Sequence, residues 1–302
     1  DGAVDYTKLA RSLVRYTGNP VIEVGEIGAW DDQTLGCFTV LDDVDRFYFY
    51  SGGTQYGKPK KIGMATSTDG VRWTKYERNP LFPGSMPYAV KVDDVFRLYH
   101  PGKDDAGRHG LQMRTSEDGF HWSGPKLVLA GGILDPCVVR VAEDRFHLYY
   151  CAGGRKMKDG KPAWEFKAYA ATSPDGIAWK KEPKPVLPLG PAGSWDEASH
   201  AGPCVLKLGD GFHLCYLGSG AYRGKTAWRI GHATSPDGLK WTRSGADPVL
   251  DVGPPGDWDG GTLMSFDVVF RDGKLLFWYA AAPTGHGDET KMTIQIGHGS
   301  SR

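Results

Sequence analysis

The chain has 302 residues and balances 36 Lys and Arg against 36 Asp and Glu, which leaves no net basic field for nucleic acid or an anionic membrane. Its 42 glycines, 20 prolines and 12% aromatic residues, without a low-complexity run, describe many short strands joined by tight turns, so an all-β fold is expected. No apolar run approaches the roughly 20 residues of a membrane-crossing helix, and no leader-like segment opens the chain at Asp1. Cys37, Cys137, Cys151, Cys204 and Cys215 follow no metal spacing and mostly sit in apolar runs, where they read as small buried residues.

In chain order, residues 5–15 place Leu9, Leu13 and Val14 on one face and predict a short helix. Asn19-Pro20-Val21-Ile22 matches two later segments, Lys184-Pro185-Val186-Leu187 and Asp247-Pro248-Val249-Leu250. Next comes Trp30-Asp31-Asp32, which leads to the strand start Val40-Leu41. The same arrangement recurs as Trp195-Asp196-Glu197 leading to Val205-Leu206, and as Trp258-Asp259-Gly260 leading to Val268-Val269. An aromatic run follows each such strand: Arg46-Phe47-Tyr48-Phe49-Tyr50 first, and later runs ending at Tyr99, Tyr149, Tyr216 and Tyr279.

A second marker is the turn Ser67-Thr68-Asp69-Gly70-Val71-Arg72-Trp73, repeated at Ser116 to Trp122, Ser173 to Trp179 and Ser235 to Trp241. Asp-Gly between strand-like runs is a hairpin signal, since Gly takes positive φ and Asp bonds the nearby backbone, so these acids are structural. The repeat predicts five units of four antiparallel strands at roughly 50 to 60 residues each, the size of a β-propeller blade. Residues 1–302 are thus expected to form a single five-bladed propeller. The last unit, about residues 258–302, stops at Ile296-Gly297-His298-Gly299-Ser300-Ser301 without its turn and fourth strand. Segment 1–24, through Asn19-Pro20-Val21-Ile22, is expected to supply that strand and close the ring.

In this strand order the Asp-Gly turns occupy one face, while the loops entering each innermost strand converge on the other. Repetition marks scaffold there and exceptions mark chemistry. Asp32 and Glu197 are acids at matched positions where the third copy has Gly260. Asp135, in Ile133-Leu134-Asp135-Pro136-Cys137, stands where the other units have Cys37, Met86, Gly202 and Ser265. A buried acid is costly to desolvate and in a concave site favours function, which singles out Asp135, and Asp32 and Glu197 join it as catalytic candidates because they are matched acids on the same face around one axis. Two carboxylates flanking a bond are what glycoside cleavage needs. Asp267 in Ser265-Phe266-Asp267 either lines the site or is a buried structural acid, and His200 replaces Leu35 and Leu263 of the sister units. Tyr56, Lys58, His109, Trp164, Arg223, Trp228 and His286 in the same-face loops offer the aromatic and hydrogen-bonding side chains a sugar requires.

The five-unit pattern, the Ala-Thr-Ser-Pro-Asp-Gly-x-x-Trp turns and Ile133-Leu134-Asp135-Pro136 resemble the five-bladed propeller glycoside hydrolases of families 43, 32 and 130. In family 43 an Asp of the first unit is the base, a Glu before Gly-Pro in the fourth is the proton donor, and an Asp-Pro acid in the third tunes that donor. Asp135 matches that third role. Asp32 and Glu197 match by unit, but Ala201 precedes Gly202-Pro203 and Cys37 stands in the first inner strand, so the chain is a divergent member by this likeness. The resemblance implies a glycosidase acting on a small carbohydrate without metal or cofactor, with Asp32 as base or nucleophile and Glu197 as general acid. A glycoside phosphorylase, for which Lys60, Lys61, His109 and Arg223 could hold phosphate, and a sugar-binding propeller are the alternatives.

Overall fold

The computed structural model describes residues 4–55, 57–158, 161–283 and 293–302, with side chains described outside 158–164. A single turn and a half of helix, α1 (Tyr6–Ala10), precedes the short strand β1 (Leu13–Arg15). Blade 1 comprises β2 (Thr34–Asp43), β3 (Arg46–Thr54), β4 (Lys61–Ser67) and β5 (Thr74–Lys75), with β6 (Phe82–Pro83) also against β4. Blade 2 follows as β7 (Tyr88–Val92), β8 (Val95–Lys103), β9 (His109–Ser116) and β10 (Lys126–Ala130). Blade 3 is β11 (Leu134–Ala142), β12 (Arg145–Lys158), β13 (Lys161–Ser173) and β14 (Lys180–Lys181). Blade 4 is β15 (Ser199–Leu208), β16 (Gly211–Tyr222), β17 (Lys225–Ser235) and β18 (Thr242–Arg243). Blade 5 is β19 (Thr262–Arg271), β20 (Lys274–Ala282), β21 (Gln295–Ser301) and, as its outer strand, β1. The fold is therefore the five-bladed propeller, closed by the N-terminal segment.

The Trp-Asp motif explains how three of these blades are held. Trp30, Trp195 and Trp258 each lie flat on strand glycines, where a Cβ would stand only 2.2 Å from Trp30 at Gly53, 2.4 Å from Trp195 at Gly218 and 2.7 Å from Trp258 at Gly297. The following aspartates, Asp31, Asp196 and Asp259, are buried, and each meets a cation from its blade's outer strand. Lys75 Nζ lies 2.7 Å from Asp31, Arg243 Nε 2.8 Å from Asp196, and Arg15 Nε 2.7 Å from Asp259. Arg15 on β1 thus occupies the place that β5 and β18 fill in their blades. Asn19 repeats another blade 1 device: its side chain accepts from the His298 N–H and donates to the His298 carbonyl, as Asn79 does with Met64.

The Asp-Gly turns join neighbouring blades. In each turn the Asp carboxylate accepts two backbone N–H groups, as Asp69 does from Val71 and Arg72, which holds it below the usual carboxylate range. The Gly carbonyl then faces the preceding blade. Tyr50, Tyr99 and Tyr149 donate their hydroxyls to Gly119, Gly176 and Gly238, and Trp278 donates its indole N–H to Gly70. Blade 4 has Cys215 at that position and faces blade 5, which carries no such turn. There α1 packs instead, with Ala10 in the core cluster that holds Cys215 and Tyr6 edge-on to His213 and Phe270 at 5.2 Å each.

Two sequence expectations are corrected. The closing strand is Leu13–Arg15 paired with Gly299–Ser301, whereas Asn19-Pro20-Val21-Ile22 adds only the bridge Ile22 to Ile296. The helix accordingly ends at Ala10, because Leu13 and Val14 serve the ring better as strand residues that complete a sheet edge. The same displacement applies to blades 3 and 4, whose outer strands are the two residues directly after the turn Trp and not the Pro-Val-Leu segments, while in blade 1 both Thr74–Lys75 and Phe82–Pro83 pair with β4. Arg15→Ala is expected to lower the unfolding free energy by about 2–4 kcal/mol, since it strands a buried Asp259 without its cation. Urea titration reads this, and a change below about 0.5 kcal/mol would show that the pair does not hold the ring.

Candidate functional site

Four of the five innermost strands reach the axis through backbone that side chains rarely adopt. The pairing register shifts at Gly36/Phe38, Leu134/Cys137, Ala201/Cys204 and Leu263/Ser265, so each of β2, β11, β15 and β19 bulges as it enters the channel. Cys37, Asp135 and Gly202 in three of these bulges, and Met86 just before β7, have φ of 36°, 46°, 50° and 52°. Left-handed backbone at Cys37 and Met86 is strained, and such strain persists where the surroundings over-determine it. The side chains of Cys37, Met86, Asp135 and Ser265 line one narrow axial cavity of about 30 Å³. These are the positions that repeat alignment set against each other in the sequence.

Asp135 forms part of the cavity wall, one oxygen 3.3 Å from the Gly202 N–H, and the Cys37 thiol hydrogen-bonds its carboxylate. Burial pushes its carboxyl above the ordinary carboxylate value, opposed by the Gly202 N–H, the Cys37 thiol and the charge of Lys60. The Cys37 thiol is itself raised, first by burial and then by the Asp135 charge, so it stays protonated and acts as a donor. Asp267, two residues beyond Ser265, also lines this cavity, but its acceptor sites are taken. Its oxygens accept from Cys204 Sγ at 3.0 Å, the Val268 N–H at 2.9 Å, Thr39 Oγ1 at 2.9 Å and the Val40 N–H at 2.7 Å. Those donors come from blades 4, 5 and 1 and fill the roughly four acceptor sites of a carboxylate, so Asp267 bolts three blades at the axis.

A wider cleft of about 350 Å³ opens above this floor and shares Cys37 and Met86 with it. Lys58 and Lys60 of the β3–β4 connection stand in its wall with Thr54, Gln55 and Ser85, over an apolar patch that includes Met264 and Ile294.

The remaining candidates lie elsewhere. Asp32 Oδ2 accepts the Gly28 N–H and Glu197 Oε2 accepts the Gly193 N–H, each at 2.7 Å, so both carboxylates close their own loops and neither lines the axial cavity or the cleft. His200 is fully buried in the blade 4 wall, Nε2 3.3 Å from Asp196, at the level of the buried Leu35 and Leu263. Burial pushes its imidazole below the ordinary histidine value. Trp228 packs on the blade 4–5 core, Arg223 is exposed with its guanidinium 4.9 Å from the Tyr222 ring, and His109 is exposed at the start of β9. Tyr56, His286 and the side chain of Trp164 lie outside the described residues. Among the described residues no group of three His, Cys, Asp or Glu side chains is gathered to hold a metal ion. Sequence reasoning did not see Cys37 as a donor to Asp135, although the repeat had already set the two at equivalent positions.

The closure, the bulged inner strands and the axial cavity define a five-bladed β-propeller. No family model matches the chain. An uncharacterised protein of Mycobacterium tuberculosis is 27% identical over 229 residues, 67% of this chain and 72% of that protein. Among solved structures, a thermostable family-43 glycoside hydrolase matches 93% of this chain and 91% of its own with a TM-score of 0.67 and 18% identity. An N-acetylgalactosamine deacetylase from F. plautii in complex with blood group B trisaccharide matches 96% of this chain and 95% of its own, with a TM-score of 0.71 and 19% identity. A β-1,2-mannobiose phosphorylase from Listeria innocua bound to β-1,2-mannobiose matches 95% and 96%, with a TM-score of 0.70 and 13% identity. The shared feature is the fold.

The Asp135 environment makes a titration prediction. Its carboxyl is expected to titrate above the ordinary aspartate value in carbon-13 NMR spectra, and Cys37→Ala, by removing a donor to the ionised form, is expected to move it further up. A downward move would show that the thiol does not stabilise the carboxylate.

Proposed function

We propose that the protein hydrolyses a glycosidic bond of a small carbohydrate held in the cleft over the propeller axis, with Asp135 as its proton donor. The observation that carries this reading is that Asp135 meets the cavity with a carboxyl raised by burial and with acceptor sites not taken by protein donors. A group that stays protonated above the ordinary carboxylate range suits general acid work. In the step, the proton of Asp135 passes to the bridging oxygen as the anomeric C–O bond breaks, and water adds to the oxocarbenium-like carbon and gives its proton to the Asp135 carboxylate, which restores the acid. Asp32 and Glu197 close their own loops and line neither the axial cavity nor the cleft, which supports leaving them to the loops and giving the chemistry to Asp135.

Screening nitrophenyl glycosides and plant or fructan oligosaccharides tests this. Asp135→Asn is expected to lower kcat/KM by about a hundredfold or more, in line with loss of a general acid, while Asp32→Asn and Glu197→Gln change it less than about tenfold. Activity should fall on the alkaline side of a pKa above the ordinary aspartate value, because only the protonated form donates. Turnover that survives Asp135→Asn within a few-fold would end the assignment.

A second reading, a sugar-binding propeller without turnover, is favoured by Cys37, which puts a thiol where a second axial acid would stand. One bound sugar per chain by calorimetry, with no product from any glycoside in the panel, would select it.

A further inference from the structure

We propose that the cleft takes a sugar carrying an anionic substituent, a carboxylate or a phosphate, held by Lys58 and Lys60. This rests on the reading that a carbohydrate occupies the cleft, and adds the chemical class of that carbohydrate.

The inference comes from two cations that line one cavity, where other lysines meet a carboxylate or stand on the outer surface. Lys75, Lys91 and Lys156 each lie within 3.0 Å of a carboxylate, those of Asp31, Asp43 and Glu165. Lys58 and Lys60 have no ion pair with any described carboxylate, yet both stand in the wall of the same cavity, two residues apart on one connection. Among the described residues no Asp or Glu lines that cavity. Its remaining polar wall is neutral hydrogen-bonding groups, Thr54, Gln55 and Ser85 among them. The charge of Lys60 reaches Asp135 on the floor, but two ammonium groups against that one carboxyl leave a local excess of positive charge over the cleft.

An uncharged pyranose gives such groups nothing to neutralise. A carboxylate or phosphate does, because charge-assisted bonds to an ammonium are roughly twice as strong as neutral ones, and neighbouring hydroxyl and amide groups satisfy the remaining oxygens. The apolar patch of Met86, Met264 and Ile294 offers a surface for the sugar face. A cavity of about 350 Å³ is at the lower end for small ligands, roughly 300–1,000 Å³, and so suits one or two rings. The ligand's anionic end is expected over Lys58 and Lys60, with its ring directed towards Cys37 and Asp135 on the floor.

The test is calorimetry with matched pairs: glucose against glucuronate and glucose 6-phosphate, galactose against galacturonate, and mannose against mannose 6-phosphate, with inorganic phosphate alone as a further titrant. In at least one pair the anionic member is expected to bind about tenfold tighter or more than its neutral parent, as one charge-assisted contact provides. That advantage should vanish in the double variant Lys58→Gln, Lys60→Gln and persist in Lys240→Gln, a change in a far-face turn. Equal or weaker binding of every anionic member overturns the proposal, as does an advantage that survives the double variant. Inorganic phosphate binding as tightly as the sugar phosphates also overturns it, since the site would then take a free anion. Binding of neutral sugars without an anionic advantage sinks this inference and leaves the hydrolase reading standing, whereas no binding by any sugar removes both.

Discussion

The buried aspartate beneath a tryptophan is the constraint on which three of the five blades depend. A carboxylate at this depth loses its water, and the loss is tolerable only where a cation and further donors replace it. Asp196 has Arg243, Ser194, the Tyr216 hydroxyl and His200 around it, and Asp259 has Arg15 and the Tyr279 hydroxyl. The cation always comes from the outermost strand, so the pair spans the width of the sheet. Those outer strands are as short as two residues and could not hold their place through two or three backbone hydrogen bonds alone. The tryptophan covers the pair and needs strand glycines beneath it, which ties part of the glycine count to this one device.

Against that rigid frame the axis is free to vary. Four inner strands enter through a bulge and four carry a left-handed residue near their start, and the side chain presented to the axis differs in every blade. A thiol, a thioether, a carboxylate, a hydrogen and a hydroxymethyl group ring the cavity at Cys37, Met86, Asp135, Gly202 and Ser265. One acid among five places gives an asymmetric pocket on a nearly symmetric body. The asymmetry widens outward, because the cleft leans over blades 1, 2 and 5 and takes its charge from a single connection in blade 1.

Much of this was written in the chain, and the exceptions have physical reasons. The blade count followed from five aromatic strands and four Asp-Gly turns, since a turn needs the same Gly and Asp chemistry wherever it occurs. Asp135 was legible as the odd residue of an aligned set. Asp32 and Glu197 were matched acids too, yet each carboxylate satisfies an N–H four residues earlier, a local bond that no spacing rule distinguishes from a vacancy. Asp267 read as an open choice because its four donors lie in three blades and become neighbours only when the ring closes. The closing strand was placed a few residues too late for a similar reason. Asn19-Pro20 does repeat Asn79-Pro80, but the motif marks the chain after the outer strand and not the strand itself.

Cys215 carries a last implication, for the order in which the molecule can be made. Where the other blades reach a neighbour's turn with a tyrosine or a tryptophan, blade 4 meets the opening segment of the chain, and that segment is held by β21 at the far end. Leu13 pairs with Ser301, so a stretch synthesised early has no partner until the last strand has been translated. Blades 1 to 4 can assemble their own sheets while the ribosome is still at work. The seam between blades 4 and 5 waits until β21 has emerged, which makes the β1–β21 pairing a contact of very large sequence separation.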